Sequence, residues 1–214
     1  MNEIRFCRVV PKVFADRSEW HSDIWNQDIR LERGHLYLLE ADSGTGKSTF
    51  CSYCIGYRND YSGEISFDGK DARRLSVAGW TDIRQRHISH LFQELRLFPE
   101  LTAMENVMIK NRLTRYKSVE EISRWFDRLG IGDKRDQKVG RMSFGQQQRV
   151  ALMRALVQPF DFLLADEPIS HLDDANSHTM GELMMEEARS QGAGVVVTSI
   201  GKHIELDYER RLQL

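Results

Sequence analysis

The stretch that decides the fold is "YLLEADSGTGKSTFCSYC", residues 37–54. It passes from an apolar segment through small residues to Gly46-Lys47-Ser48-Thr49. A glycine-rich loop of this kind, between a buried strand and a helix, is typical of a phosphate-binding loop. Ala41 stands where the pattern begins with glycine, and a methyl group fits there if φ is negative. The sequence therefore predicts a working loop, with a small-residue loop that holds no ligand as the alternative.

The chemistry of this loop follows from its backbone and two side chains. Successive backbone N–H groups and the N-terminus of the following helix attract phosphate oxygens, which approach most closely at Gly44 and Gly46. Lys47 can reach the β- and γ-phosphates, and the Ser48 hydroxyl can bind Mg²⁺. The predicted nucleotide contacts along the loop are Asp42, Ser43, Gly44, Thr45, Gly46, Lys47, Ser48 and Thr49.

A second acidic motif, "FDFLLADEP" at residues 160–168, supplies what phosphoryl transfer from such a loop needs. An apolar strand ends at Asp166, which suits a water-mediated contact to the metal ion. Glu167 follows and suits a general base or a group that positions water. The alternative is a solvated acidic turn, which the presence of the phosphate-binding loop disfavours.

Composition limits the class of protein. The chain has 214 residues, is 41% apolar and carries a net charge of −2, so nothing predicts binding to nucleic acid or to a membrane surface. No apolar run approaches the roughly 18 residues that a membrane span needs. The start, "MNEIRFCRVV", alternates like a strand and lacks the pattern of a signal peptide. We expect a cytoplasmic protein whose membrane association comes through a partner.

Periodicity predicts an α/β protein with a helical insert between two sheet-forming halves. Residues 102–158 are expected to be mostly helical, with capping boxes at Thr102/Glu105 and Ser118/Glu121. Further helices are predicted over 47–56 and 173–191. Predicted strands cover 3–10, 22–33, 35–41, 62–71 with an Asp-Gly turn, 88–92, 160–166, 193–199 and, as a closing edge strand, 205–214.

The cysteines and histidines give no sequence signal for a metal site. Of the three cysteines, Cys51 and Cys54 form a C-x-x-C pair on one face of the predicted helix, and two further ligands at suitable spacing are not evident. We expect small buried hydrophobic residues, with a redox or metal role as the alternative. Five histidines show no ligand spacing and are expected to be surface or hydrogen-bonded core residues: His21, His35, His87, His90 and His178.

The segment "MSFGQQQRVALMRAL", residues 142–156, resembles the signature segment of ABC-type ATPases through Ser143, Gly145 and Gln146. Gln93 matches the family's loop glutamine, and residues 170–173, "SHLD", match the loop that touches the partner subunit. Phe14 is placed like the aromatic residue that stacks on adenine. The resemblance covers essentially the whole chain and is greatest to ATPase subunits of the lipoprotein-release, macrolide-efflux and cell-division group.

The resemblance implies a P-loop NTPase core with a mixed sheet, an antiparallel β subdomain and an inserted helical subdomain. The chain would be a single ABC ATPase domain, residues 1–214, with the core at 1–93 and 159–214 and the helical subdomain at about 94–158. It further implies a head-to-tail dimer with a second copy or a homologous ATPase subunit. Each ATP would lie between one subunit's phosphate-binding loop and the other's Ser143, Gly145 and Gln146.

The implied cofactors are ATP and Mg²⁺, with the metal ion held by Ser48, Gln93 and Asp166. The implied catalytic positions are Glu167, Gln93 and Ser199. The surface around Gln93 would grip a short helix of an integral membrane permease. The protein would then lie on the inner face of the cell membrane, and no nucleic acid is expected as a partner. ATP hydrolysis would power transport through closure of the dimer.

Besides Ala41, two residues depart from the family pattern. Phe144 replaces the first signature glycine, which we expect to alter packing at the dimer interface. Ser199 replaces a histidine that contacts the γ-phosphate, which predicts slow hydrolysis; His203 could substitute if the chain continues as a helix. The alternative function is therefore an ATP-gated switch with little turnover that signals through a membrane partner. A soluble ABC protein of repair or translation is a third and weaker interpretation.

Overall fold

A computed structural model describes residues 1–16, 21–42, 44–169, 174–201 and 203–214. The predicted phosphate-loop residue Ser43 and the predicted partner-contacting segment 170–173 lie outside these ranges. The described residues form two sheets and six α-helices. One sheet is parallel and the other antiparallel, so the α/β class is as expected.

The parallel sheet has five strands in the order β6-β7-β8-β3-β9. Its strands β7 and β8 are buried at every position, as expected for parallel strands covered on both faces. The closing strand β9 lies at the sheet edge beside β3, where the sequence predicted an edge strand. The bounds are β3 Leu36–Glu40, β6 Ile88–Leu91, β7 Phe162–Asp166, β8 Gly194–Ser199 and β9 Arg210–Gln213.

The antiparallel sheet contains β1 (Glu3–Pro11), β2 (Asp28–Glu32), β4 (Tyr61–Phe67) and β5 (Lys70–Asp71), in the order β2-β1-β4-β5. The strands β4 and β5 are joined by Asp68 and Gly69, which both have positive φ as a two-residue hairpin turn requires. The predicted Asp-Gly turn is thus confirmed.

Two predicted strands are shorter than expected: the closing strand β9 begins at Arg210 and not at residue 205, and β2 begins at Asp28 and not at residue 22. Residues 22–27 form a turn, in which the Ser22 hydroxyl accepts hydrogen bonds from the backbone N–H groups of Ile24 and Trp25, at 3.1 and 2.9 Å. These two consecutive side chains are both buried in one core cluster. A strand would send them to opposite faces, so burial of both favours the turn, and β2 begins only at Asp28.

The helices are α1 (Lys47–Cys54), α2 (Val77–Asp82), α3 (Ala103–Thr114), α4 (Val119–Arg128), α5 (Phe144–Leu156) and α6 (Asp174–Gln191). Both predicted capping boxes are present, at the starts of α3 and α4, and a third begins α5. The sequence did not predict α2, which continues as a π-helix over Ile83–His87.

The parallel sheet separates two hydrophobic cores. Alternate residues of β3 face opposite ways: Leu36 and Leu38 enter one core, and Tyr37 and Leu39 enter the other. The first core packs the sheet against α3, α4, α5 and α6, and the second packs it against α1 and the antiparallel sheet. None of the helices in the described ranges is long and apolar enough to cross a bilayer.

Candidate functional site

Most of the predicted site residues gather where the carboxyl ends of β3, β7 and β8 meet, the usual ligand-binding edge of a parallel sheet. The backbone N–H of Ala41 donates to the Ser199 carbonyl at 3.2 Å, and that of Glu167 donates to the Thr198 carbonyl at 3.3 Å. A cavity of about 370 Å³ opens there. Its described lining residues are Val13, Phe14, Gly44, Gly46, Lys47, Ser48, Thr49, Arg58, Gln93, Glu167 and Ile200.

The loop that enters α1 requires glycine at Gly46. This residue has φ +113° and caps α1, and a Cβ there would lie 3.0 Å from the Phe14 ring and 3.1 Å from the Trp25 ring. The Trp25 indole N–H donates to the Thr45 carbonyl at 3.1 Å, and the Thr45 hydroxyl donates to the Asp42 carbonyl at 2.8 Å. The loop is therefore held both by aromatic packing against Gly46 and by these two hydrogen bonds.

Lys47 lies inside the loop and is only 6% exposed. Its ammonium group donates to the carbonyls of Ala41 and Asp42, at 3.3 and 3.2 Å, and lies 3.8 Å from Oε1 of Glu167. A buried ammonium group requires such partners. Phosphate oxygens would accept hydrogen bonds from this same ammonium group. A bound phosphate would therefore take the place of the two carbonyls and the Glu167 carboxylate.

Ser48 and Asp166 are brought together, as the proposed metal site needs. The Ser48 hydroxyl donates to Oδ2 of Asp166 at 3.4 Å, and the Thr198 hydroxyl donates to Oδ1. Burial raises the pKa of Asp166 despite these hydrogen bonds, and the charge of Glu94 adds to the effect. Hydroxyl and carboxylate oxygens are ligands that Mg²⁺ prefers, and a nearby cation would oppose this rise in pKa.

Glu167 has an unusual backbone conformation, with φ at +49° in a residue that is not glycine. Its N–H lies 3.3 Å from both the carbonyl and the hydroxyl oxygen of Thr198, and these bonds hold it in place. Such conformations cost about 1–3 kcal/mol and cluster at functional sites. Glu167 lines the same cavity as Gln93.

The signature residues lie apart from this cavity, at the N-terminus of α5. The Ser143 hydroxyl accepts from the Gln146 N–H at 3.3 Å, and the Gln146 side chain accepts from the Ser143 N–H at 3.0 Å. Gly145 is in the first turn of α5, and Phe144 is 44% exposed. Within one subunit the signature therefore does not join the phosphate-binding loop.

Several residues at the site carried no sequence signal. Arg58 donates to the Thr49 hydroxyl at 3.1 Å and is paired with Asp60. Trp25 holds the loop through the Thr45 carbonyl, and Thr198 donates a hydrogen bond to Asp166. Nothing in the spacing of these residues marks them, because each reaches the site through tertiary packing and not through a local motif.

Ser199 and His203 occupy places that bear on the predicted slow hydrolysis. Ser199 is fully buried at the end of β8, and its neighbour Ile200 is the residue that lines the cavity. His203 lines a different and larger cavity, of about 740 Å³, and its Nδ1 lies 3.2 Å from the Gly201 carbonyl. Residues 203–207 are not helical, so the condition under which His203 could replace the missing histidine is not met.

Phe14 lines the cavity but is only 9% exposed, with its ring against Gly46. Its predicted stacking on adenine stays a prediction.

The fold and the site define a P-loop nucleotide-binding protein with a separate signature helix. The ABC transporter family matches residues 25–170, and the chain belongs to this family. It is 35% identical over 192 residues to the lipoprotein-releasing system ATP-binding protein LolD of Myxococcus xanthus, covering 87% of this chain and 84% of LolD. It is also 35% identical over 184 residues to the uncharacterized ABC transporter ATP-binding protein YclH of Bacillus subtilis, covering 83% and 80%.

A longer relative and a solved structure extend the comparison. The chain is 30% identical over 195 residues to the macrolide export ATP-binding/permease protein MacB of Shewanella sp., covering 87% of this chain but only 29% of MacB. The dimeric structure of MJ0796, a bacterial ABC transporter cassette, is similar with a TM-score of 0.77 and 27% identity, covering 92% of this chain and 87% of that one. The fold is therefore that of an ABC cassette.

Proposed function

We propose that this chain is the ATP-binding and ATP-hydrolysing subunit of a membrane ABC transporter. The observation that carries the proposal is the cavity where Lys47, the Ser48–Asp166 pair and Glu167 converge. These groups supply an ammonium donor for phosphates, oxygen ligands for a metal ion and a carboxylate that can accept a proton.

Each group has a role that its position supports. The loop N–H groups and Lys47 hold the β- and γ-phosphates. Ser48, Gln93 and Asp166 would hold Mg²⁺, which would neutralise charge on the phosphates. Glu167 accepts the proton of the attacking water. Glu167 is paired with Lys47. When a phosphate binds Lys47 in its place, the Glu167 carboxylate can act as the base.

The signature is used by a second subunit. Since Ser143, Gly145 and Gln146 lie away from their own phosphate-binding loop, an ATP held there needs another copy or a homologous ATPase subunit. A post-hydrolysis structure of MJ0796 bound to ADP and Pi is also dimeric, with a TM-score of 0.75 and 26% identity to this chain. An exposed serine hydroxyl and helix N-terminus suit a γ-phosphate.

We further propose that the partner is an integral membrane permease that binds beside Gln93 and places the chain at the inner face of the membrane. The names of LolD and MacB, lipoprotein-releasing and macrolide export proteins, support this class of assembly. In this scheme residues 1–93 and 159–214 form the catalytic core, and residues 94–158 form a helical subdomain that moves with the permease.

The buried position of Ser199 supports a second candidate function. If the site lacks a polar contact to the γ-phosphate, the dimer closes on ATP but hydrolyses it slowly. The protein would then act as an ATP-gated switch that signals through its membrane partner. Both functions use the same site and differ only in the rate of the chemical step.

Steady-state hydrolysis of Mg-ATP by the wild type and Glu167→Gln tests the proposal. Loss of the carboxylate lowers the rate by about 10²–10⁴-fold while ATP binding is kept, because general base catalysis contributes roughly that factor. The matched control is Glu120→Gln, at an exposed glutamate of α4, which leaves the rate unchanged. Equal and very low rates in all three proteins would favour the switch.

A further inference from the structure

His90 is a buried histidine that the structure leaves unsatisfied. It lies on β6, is 9% exposed, and neither of its ring nitrogens has a hydrogen-bond partner among the described residues. The sequence prediction of a hydrogen-bonded or surface histidine is therefore wrong at this position. The Phe92 ring packs against it with 4.0 Å between ring centroids. A buried imidazole without partners is costly unless something else binds it.

Two other potential ligands lie beside this imidazole. A ligand atom of Cys51, on α1, and one of Asp166, at the end of β7, lie with a His90 nitrogen all within 4.8 Å of one another. All three residues are buried. The neighbouring strands β6 and β7 thus place two potential ligands beside Cys51, while Cys54 is not part of the cluster. No sequence pattern marks these three residues as a group, because they are close in space and far apart in the chain.

We propose that Cys51, His90 and Asp166 form a binding site for a thiophilic divalent cation of the Zn²⁺ class. Thiolate, imidazole and carboxylate are the ligands that Zn²⁺ takes, whereas Mg²⁺ prefers oxygen alone. Three protein ligands leave the fourth tetrahedral position to a water molecule. The plain alternative is that Cys51 and His90 only fill space, which leaves the two bare ring nitrogens of His90 unexplained.

The protonation state of His90 suits this assignment, whereas the thiol of Cys51 has to be deprotonated by the cation itself. Burial, followed by the charges of Lys110 and Arg96, lowers the pKa of His90 to about 3, so its imidazole is neutral and able to bind a metal. Burial and the Asp166 charge raise the pKa of the Cys51 thiol, which must lose a proton when it binds. Each cation bound therefore releases one proton from Cys51. The thiolate and carboxylate then balance its double charge.

We place the entry of the cation at a cavity beside His90. This cavity has a volume of about 330 Å³, and its lining includes His90 together with Tyr57, Phe98 and Leu113. These three apolar side chains are 52–60% exposed. This is the region beside Gln93 where we place the permease, so a bound partner would close this entry.

Binding at this site has a consequence for ATP, which rests on the proposed function. Asp166 belongs to both proposed metal sites, because it also accepts a hydrogen bond from the Ser48 hydroxyl at the proposed Mg²⁺ site. A thiophilic cation that binds the carboxylate competes with this role. Zinc therefore weakens Mg-ATP binding, and by reciprocity Mg-ATP weakens zinc binding by the same factor.

Cobalt is the probe for the site itself. The full chain without nucleotide is titrated with Co²⁺, and the expected result is one ion per subunit with thiolate-to-cobalt charge-transfer absorption. Cys51→Ser removes this band. His90→Gln weakens Co²⁺ binding more than about 10-fold, since even the loss of a residue that only hydrogen-bonds to a metal ligand lowers metal affinity by about 10–100-fold. Cys54→Ser is the matched control, at an equally buried cysteine outside the cluster, and it keeps the band.

The absence of a thiolate band in the wild type, or its persistence in Cys51→Ser, overturns the proposal. If Cys51→Ser fails to fold by circular dichroism, Cys51→Ala is used, together with Zn²⁺ binding measured by competition with a chromophoric chelator. The consequence for ATP is measured separately, as binding of a fluorescent ATP analogue with Mg²⁺ at rising Zn²⁺. A normal cobalt spectrum in a protein that does not bind or hydrolyse ATP would refute the proposed function alone.

Discussion

Lys47 and Glu167 form an oppositely charged pair at the proposed site, with 3.8 Å between the ammonium nitrogen and Oε1. The lysine is 6% exposed, and its ammonium group is shared between two carbonyls and the Glu167 carboxylate. Glu167 is thus held by an ion pair until a phosphate takes the lysine. The proposed base would become able to accept a proton only when the substrate is in place, which limits unproductive chemistry with water alone.

Ser199 is the residue at which we expect a substitution to increase activity. Ser199→His places an imidazole at the end of β8, beside the cavity that Ile200 lines. A restored contact to the γ-phosphate raises the rate of ATP hydrolysis, by up to about 10²–10³-fold, the usual value of one such contact. The measurement is steady-state turnover together with ATP affinity.

His203→Ala provides the comparison, because His203 lines another cavity and its loss leaves turnover unchanged. If Ser199→His binds ATP normally and hydrolyses it no faster than the wild type, the absence of a histidine at position 199 is not what limits the rate.

At the scale of an element, the antiparallel sheet depends on a close backbone contact. The pairing of β1 with β4 shifts between Cys7 and Val10, and a Cβ added to Gly63 of β4 would lie 2.3 Å from the Arg8 carbonyl oxygen. Gly63 also has φ +79°. Gly63→Ala therefore lowers the free energy of unfolding by about 2–4 kcal/mol, through overpacking and a left-handed alanine.

Gly69→Ala isolates the contribution of the backbone. Gly69 has φ +76°, but a Cβ added there would have no neighbouring atom within 4 Å, so its replacement costs only about 1–2 kcal/mol. Urea unfolding of both variants gives the comparison. Equal losses would mean that the contact with Arg8 relaxes without cost.

Asp161, just before β7, joins three other parts of the chain. Its carboxylate accepts from the Met1 amino group at 2.6 Å and pairs with His87 at 2.5 Å and Arg33 at 2.9 Å. Burial alone would raise the pKa of Asp161, but the hydrogen bonds from Met1 and His87 and the charge of Arg33 hold it below its usual value. The charged form is thus the one that stabilises the fold.

Asp161→Asn is expected to lower the free energy of unfolding at pH 7 by about 2–3 kcal/mol, the value of hydrogen bonds to a charged group. Because the folded pKa is lowered, the carboxylate contributes fully above its unfolded pKa of about 3.9 and loses its contribution as the pH falls through the folded value. The difference between variant and wild type should therefore shrink below about pH 4. Urea unfolding at several pH values, with the exposed Asp207→Asn as control, measures it; a constant difference would contradict the argument.

How much of this could be predicted from the sequence depends on the range of the signal. The capping boxes of α3 and α4 and the Asp-Gly turn were predictable because each depends on residues within a few positions. The loop at Gly46, Lys47 and Ser48 was predictable for the same reason. In contrast, the turn over residues 22–27 forms because Ile24 and Trp25 share one core, and the cluster of His90, Cys51 and Asp166 depends on which strands pair.

At the scale of the whole molecule, the position of the signature predicts how ATP joins two copies. In Glu167→Gln, which keeps ATP intact, Mg-ATP is expected to convert the protein to a dimer in sedimentation velocity. Adding Ser143→Asp abolishes this dimer, because a carboxylate at the N-terminus of α5 repels the γ-phosphate. Aspartate caps a helix as well as serine does, so the helix itself is preserved.

Ser118→Asp is a matched control. Ser118 caps α4 with the same capping box that Ser143 forms on α5, and its replacement adds the same charge away from the signature. The dimer should persist in this variant. Loss of the dimer in both variants would attribute the effect to net charge and not to the signature.

The strand order also has a consequence for how the protein is made. The strand that leads into the phosphate-binding loop, β3, is paired with β8 and β9, which are synthesised last among the strands of the described ranges. At about 5–20 residues per second, translation needs about 9–35 s to pass from β3 to β9. For that time a largely apolar strand has neither neighbour, and unpaired strand edges aggregate.

The nascent chain should therefore depend on chaperones until β9 leaves the ribosome. Nascent chains stalled before β8 should be degraded by protease at β3, while chains that include β9 outside the exit tunnel should resist. Protection of β3 in the shorter chains would mean that other segments shield it during synthesis. ATP could accordingly bind only once translation of the sheet is complete, so nucleotide cannot assist the early steps of folding.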